Sequence, residues 1–270
     1  AMSSQRAFAC SAVLGRSIYV AGGSGIASAS WSSAVLSSME RFCTTARTWT
    51  LLPPMLERRA FASIASLGRN LYIFGGCIGP GGEQVLGSME RYSPAQCVWT
   101  GAFRLPWKSI FAAHVAHNGY LYLCGGSQGK HPMSSAARFS HRSAGWEQLP
   151  PMEHPRWGAA CAATPAGDIL VCGGCQGQAG AGPLDSRAVV ECFRSSGGFW
   201  ETVEGLRARR GCPGTVTLGS HLYILGGKDT SGNATVAAER LDLRTFRCQD
   251  LPPMPEGKVH SIVCAIEPGP

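Results

Sequence analysis

A glycine pair closing a short apolar run recurs five times along the chain, and no other feature constrains the fold as strongly. The runs are Ser17 to Gly23, Leu71 to Gly76, Leu121 to Gly126, Ile169 to Gly174 and Leu222 to Gly227. The first glycine of each pair stands at 22, 75, 125, 173 and 226, so the steps are 53, 50, 48 and 53 residues. Self-similarity at that spacing means one supersecondary unit copied along the chain, each copy burying its apolar face against its neighbours. With the repeat running end to end, the 270 residues read as a single repetitive domain.

The second copy shows the grammar most clearly. Arg59 to Leu67 is small and apolar enough for a strand buried on both faces, and Gly68-Arg69-Asn70 is a tight turn. Leu71 to Phe74 is a second strand. A variable stretch, Cys77 to Gln84, precedes a third strand from Val85 to Tyr92. Ser93-Pro94-Ala95-Gln96 turns the chain into a fourth strand that opens with Cys97-Val98-Trp99-Thr100. Four short strands in antiparallel order make one small sheet. Sparse charge (15%) and 35 glycines fit a turn-rich, all-β chain. No window holds the roughly 18 uninterrupted apolar residues that a membrane helix needs.

The other copies keep this order with losses. Met39-Glu40-Arg41-Phe42 and Met89-Glu90-Arg91-Tyr92 mark the third strand, weakening to Val190-Glu191-Cys192-Phe193, Ala238-Glu239-Arg240-Leu241 and Ala136-Ala137-Arg138-Phe139. The fourth strand carries Trp49, Trp99, Trp146 and Trp200, with Phe246 assigned to the last copy. Large rings at a fixed phase are expected to pack between neighbouring sheets.

The glycine pair, the tyrosine before it, the third-strand acid and the fourth-strand tryptophan together resemble the kelch repeat. The departures are Leu170 for the tyrosine, Ala137 for the acid and Phe246 for the tryptophan. The resemblance implies a β-propeller of four-stranded antiparallel blades, with repeats at about 6–54, 59–104, 108–151, 156–204 and 210–252. Residues 258–266 then read as a sixth inner strand without a glycine pair. At the other end Met2 stands four residues before Arg6, as Met55 stands before Arg59. The expectation is a six-bladed ring whose last blade is completed by strands upstream of residue 1, with a complete five-bladed ring as the rival.

A propeller presents its strand-two-to-three and strand-four-to-one connections on one face. The former vary most: Ser24 to Ala34 with Trp31, Cys77 to Gln84, Ser127 to Met133, Cys175 to Arg187 and Lys228 to Thr235. Variable loops on a rigid scaffold are where ligands bind. A cation leads into every inner strand on that face: Arg6, Arg58 with Arg59, Lys108, Arg156, Arg209 with Arg210, and Lys258. With a net charge of +7, such a set would focus a field on an acidic ligand, and guanidinium forks match carboxylates. The candidate ligand-binding residues are therefore Arg6, Arg59, Lys108, Arg156, Trp157, Arg210 and Lys258, with Trp107 and Trp157 as stacking surface. The competing expectation is that some of these cations bond backbone carbonyls or the acids Glu40, Glu90, Glu191 and Glu239.

Other chemistry is thin. Cys172-Gly173-Gly174-Cys175 has CxxC spacing, but its glycines belong to the repeat and no second CxxC completes a zinc set. Cys77 and Cys175 open loops near the cations, where a lowered thiol pKa would make them oxidant-sensitive. His114 and His117 leave opposite faces of a strand, and neither a nucleophile elbow, a P-loop nor a His-Glu-x-x-His is present. No cofactor, metal or membrane partner is expected, and nucleic acid is not expected either, because no basic run with interleaved aromatics tracks a backbone. Twelve cysteines, five of them inside apolar runs, suit a reducing, cytoplasmic setting. The resemblance implies a binding module rather than an enzyme: the substrate-recognition domain of an adaptor for a cullin ubiquitin ligase, taking a partner's acidic motif. Actin or cytoskeletal scaffolding is the alternative, followed by a carbohydrate-acting enzyme such as a sialic acid epimerase or copper oxidase.

Overall fold

The computed structural model describes every residue except 26–34, 80–83, 178–187, 204 and 266–270, and the side chain of Ala102. Among the described residues there is no helix, and the blade strands form five four-stranded antiparallel sheets. Trp31 and most of the longest expected loop, Cys175 to Arg187, lie outside the described residues. The chain divides into two compact units, Ala1–Ile110 and Phe111–Ala265.

The first unit holds two sheets. Their strands, from inner to outer, are Cys10–Leu14, Ser17–Ala21, Met39–Cys43 and Thr48–Leu52, then Ser63–Leu67, Asn70–Phe74, Ser88–Ser93 and Val98–Arg104. Inner strand Cys10–Leu14 lies against inner strand Ser63–Leu67. Tyr19, Met39, Ile64, Leu71, Ile73, Tyr92 and Trp99 fill the core between the two sheets. Trp99 is 6% exposed and donates its indole N–H to the Pro53 carbonyl at 2.9 Å. Its ring is buried without leaving a polar atom unsatisfied.

The second unit holds three sheets: Ala113–His117, Tyr120–Cys124, Ala136–Ser140 and Gly145–Leu149; Ala160–Ala163, Ile169–Cys172, Val190–Arg194 and Phe199–Val203; Gly214–Leu218, His221–Leu225, Ala238–Asp242 and Cys248–Leu251. Their inner strands again follow one another side by side. Each inner strand starts later than its apolar pattern suggests. The cause is a left-handed residue just ahead of it, at Phe8, Phe61, Phe111 and Cys212 with φ of 51 to 56° and at Gly158 with φ 61°. Phe61 therefore ends the extended run that the small residues from Arg59 onward suggested.

Register exposes paired substitutions. The third-strand arginine stands opposite the second-strand tyrosine in four sheets: Tyr19 with Arg41, Tyr72 with Arg91, Tyr122 with Arg138 and Tyr223 with Arg240. In the remaining sheet both change together, Leu170 facing Cys192. The third-strand aromatic likewise faces the outer tryptophan, at Phe42 with Trp49, Tyr92 with Trp99, Phe139 with Trp146 and Phe193 with Trp200. In the last sheet the partners are Leu241 and Cys248, so the assignment of Phe246 to this position is corrected. Phe246 occupies the left-handed turn residue, φ 59°, and lies 5.4 Å beneath the Arg194 guanidinium.

The expected sixth inner strand, 258–266, joins no ladder over its described part. Ser261 and Val263 sit against Gly214, but His260 at φ 53° turns the chain and no strand lies hydrogen-bonded on its free side among the described residues.

The glycine pairs bring backbones into close approach. A Cβ on Gly76, at φ +88°, would lie 2.6 Å from the Ala60 carbonyl oxygen, whereas one on Gly119, at φ +80°, would meet open space. The two sites share the cost of a left-handed alanine and differ in the collision. Gly76→Ala is expected to cost about 2 kcal/mol more than Gly119→Ala in urea unfolding. Equal losses would show that close packing does not require the second glycine of the pair.

Candidate functional site

The chain passes from the outer strand of one blade to the inner strand of the next through a short crossover, and the expected cations lie on these crossovers. Most of them face inward. The Arg59 side chain is 0% exposed: Nη1 donates to the Gly75 carbonyl at 2.8 Å, and Nη2 reaches Glu90 Oε1 at 2.6 Å. Arg6 repeats this with the Gly22 and Ser38 carbonyls at 3.1 and 3.0 Å and Glu40 at 2.7 Å. Arg156 bonds the Gly173 and Val189 carbonyls at 2.9 and 3.0 Å and pairs with Glu191. Arg210 bonds the Ala237 carbonyl at 2.9 Å, with Glu239 at 3.3 Å.

Each acid also holds the crossover backbone. Glu40 accepts the Ser3 N–H at 2.7 Å, Glu90 the Leu56 N–H at 2.7 Å, Glu191 the Glu153 N–H at 2.7 Å and Glu239 the Ala208 N–H at 2.9 Å. For Arg6, Arg59 and Arg156 one carboxylate thus bonds a buried guanidinium and at least one orphan amide, which is the condition under which a buried ion pair is tolerated, whereas Arg210 and Glu239 face each other as an ion pair without a hydrogen bond. For Glu40, burial works to raise the pKa, but the Ser3 N–H and Arg6 outweigh it and hold the carboxyl below its usual value. Burial lowers Arg210, against the field of Glu239.

These contacts correct the expected ligand set. Arg6, Arg59, Arg156 and Arg210 act as internal braces, because desolvated guanidiniums bonded to carbonyls and a carboxylate have no charge to present. Trp157 is 4% exposed; its indole N–H donates to the Gly177 carbonyl at 2.8 Å and its ring packs with Phe111, Cys175 and Cys212, so it offers no stacking surface. Cys77 and Cys175, at 1% and 0% exposure, are sheltered from oxidants.

Lys108 is displaced by one residue from the position expected for it. The second glycine of each pair donates its N–H to the carbonyl of the brace leading into the next inner strand: Gly23 to Arg59, Gly126 to Arg156 and Gly174 to Arg210 at 2.8 to 3.2 Å. Gly76 donates to Ser109 at 2.9 Å, so Ser109 holds the brace position and Lys108 precedes it. Gly227 donates to Lys258 at 2.8 Å, yet the Lys258 side chain is exposed and paired with Glu256. The exposed cations at the preceding position are Arg58, Lys108 and Arg209, and none has an ion-pair partner among the described residues.

Residue patterns did not point to the left-handed positions. Two residues after each brace stand Phe8, Phe61, Phe111, Gly158, Cys212 and His260. Their backbones link from one crossover to the next: Phe61 N–H to the Phe8 carbonyl at 3.1 Å in the first unit, and Gly158 to Phe111, Cys212 to Gly158 and His260 to Cys212 at 2.8 to 3.1 Å in the second. The recurrence of phenylalanine two residues after Arg6, Arg59 and Ser109 was the available signal. The His260 ring lies 5.2 Å from that of Phe111, and burial, with the Lys228 cation second, pushes the imidazole down to about 4.

Two expectations follow. Glu90→Gln leaves the buried Arg59 guanidinium with only the partly exposed Glu57 carboxylate, 3.1 Å away, and is expected to cost about 2 kcal/mol in urea unfolding; a loss indistinguishable from zero would remove the brace from the account. A free histidine takes up its proton near pH 6.5 and folded His260 only near 4, so the unfolded chain binds more protons in between. Stability from this residue is therefore complete above pH 6.5 and falls as the pH drops toward 4. His260→Phe, which places there a residue already accommodated at Phe61, is expected to flatten the pH dependence of the urea midpoint across that window. An unchanged slope would contradict the assignment.

The profile of the Kelch motif matches residues 5–56, 58–102, 110–153 and 209–255, well over half of the chain. The fourth repeat, which lacks the tyrosine–arginine pair, falls outside these matches yet forms a complete sheet. Similar proteins include Kelch-like protein 36 of Rattus norvegicus, 28% identical over 99% of this chain and 44% of that protein, and Kelch-like protein 38 of Homo sapiens, 27% identical over 91% and 39%. Beta-scruin of Limulus polyphemus is 24% identical over 71% of the chain and 21% of its own length. The chain thus spans less than half the length of these relatives. Among solved structures, that titled "Structure of YjhT" superposes with a TM-score of 0.77 at 15% identity, covering 93% of this chain and 85% of that one. Five sheets of four antiparallel strands, the matched motifs and this superposition lead to one conclusion: the chain belongs to the kelch-repeat family, and its fold is the all-β, kelch-type β-propeller.

Proposed function

We propose that this protein is a protein-interaction module that takes an acidic segment of a partner protein, and that it serves as the substrate-recognition domain of an adaptor for a cullin-type ubiquitin ligase. The observation that carries the first half is the exposed crossover cation. Arg58, Lys108 and Arg209 stand beside braces that are internally neutralised or, at Ser109, uncharged, so their charge is available to a ligand. Charges of this kind speed encounter with an acidic partner and set specificity, and they are screened by salt. Similarity to Kelch-like proteins supports the second half.

No group of three or more His, Cys, Asp or Glu among the described residues is arranged to hold a metal. All twelve cysteines are free thiols and eight are buried, which supports a reducing compartment such as the cytoplasm. Arg58→Glu/Lys108→Glu/Arg209→Glu is expected to bind a fluorescent glutamate-rich peptide at least about tenfold more weakly by anisotropy, with a smaller salt dependence and an unchanged unfolding midpoint. Equal binding by the triple variant and the native protein would refute the acidic-ligand reading.

A further inference from the structure

Four blades anchor their crossover with the brace, and the third does not. Three changes coincide there. Ser109 stands where the arginine would be, and Ala137, 0% exposed, stands where the third-strand acid would be. Pro106 stands at the position of Leu56, whose N–H donates to Glu90, so one of the two amides that would use the carboxylate is itself missing, the other being that of Trp107 at the position of Glu57. A buried guanidinium without its acid, or the acid without its guanidinium, would be costly, whereas the absence of both leaves neither charge uncompensated.

The crossover remains fixed at its two ends. Leu105 N–H donates to the Gly87 carbonyl at 2.9 Å and Ser109 N–H to the Leu86 carbonyl at 3.2 Å. Between them, Pro106, Trp107 and Lys108 make no hydrogen bond among the described residues, and the indole N–H of half-buried Trp107 has no acceptor. Lys108 is exposed, and its segment contains no acid. The comparable cations differ: Arg58 adjoins Glu57, whose carboxylate lies 3.1 Å from Arg59, and Arg209 has no aromatic neighbour in its segment.

We infer that the 105–109 crossover is the principal grip on the acidic partner, with Lys108 taking a partner carboxylate and half-buried Trp107 supplying ring surface beside it. The partner chemistry is an Asp or Glu beside an apolar residue in extended chain. Because the segment holds no internal hydrogen bonds, it adjusts to the partner without breaking any. This rests on the acidic-ligand reading and adds where it acts.

Single charge reversals separate the two. Lys108→Glu is expected to weaken binding of the same glutamate-rich peptide by about tenfold, while Arg58→Glu and Arg209→Glu weaken it by less than about threefold. Equal losses at the three positions, or a larger loss at Arg58 or Arg209, would overturn the special role of this crossover and leave the acidic-ligand reading intact. No loss at any position would overturn both. All three side chains are exposed, so thermal unfolding midpoints are expected to stay within a few degrees of the native value, confirming that the losses are of contact and not of fold.

Discussion

A guanidinium that has left water must find its partners inside the protein, and much of this architecture is arranged around that demand. At Arg59 the partners are the Gly75 carbonyl on one side and Glu90 on the other. The carboxylate in turn holds the Leu56 amide, so second strand, third strand and incoming crossover are joined through one buried ion pair. The glycine pair has its purpose in the same place. It offers the carbonyl that the brace caps, and its second N–H reaches the backbone leading into the next inner strand. Features that look independent in the chain are parts of one hydrogen-bonded junction.

That junction also divides the cations into two kinds. An arginine in the brace is a structural charge, neutralised where it stands; a cation one residue earlier projects from the same backbone into solvent. Arg58 and Arg59 are neighbours with opposite fates, the first exposed and the second fully buried. Function is therefore expected to evolve at the outer position while the inner one stays under the constraint of folding. The third blade differs because its inner constraint has been removed as a set.

Period, strand order and sheet class were legible in the residues because they depend on spacing and on alternation of small apolar side chains. The destination of each charge was not, since a positive side chain near a glycine pair reads alike whether it turns inward or outward. The one-residue displacement of Lys108 relative to Ser109 becomes visible only through the Gly76 to Ser109 hydrogen bond. Phe246 misled for a similar reason: it is aromatic and near the right place, but register assigns that place to Cys248. Lost motif residues seemed separate defects in the chain, and register and repeat phase pair them. Leu170 faces Cys192 across the sheet, and the missing acid at Ala137 coincides with a missing arginine at Ser109 and a missing amide at Pro106.

Amide hydrogen exchange on the native protein tests the central claim most directly, because the acids are held to secure particular backbone N–H groups. The amides of Leu56 and Glu153, bonded to Glu90 and Glu191, are predicted to exchange slowly. Those of Trp107 and Lys108, in the unbraced crossover, are predicted to exchange at rates near those of free chain. Equal protection at all four positions would contradict the account, since the crossovers would then be fixed by something other than the buried arginine–glutamate pair.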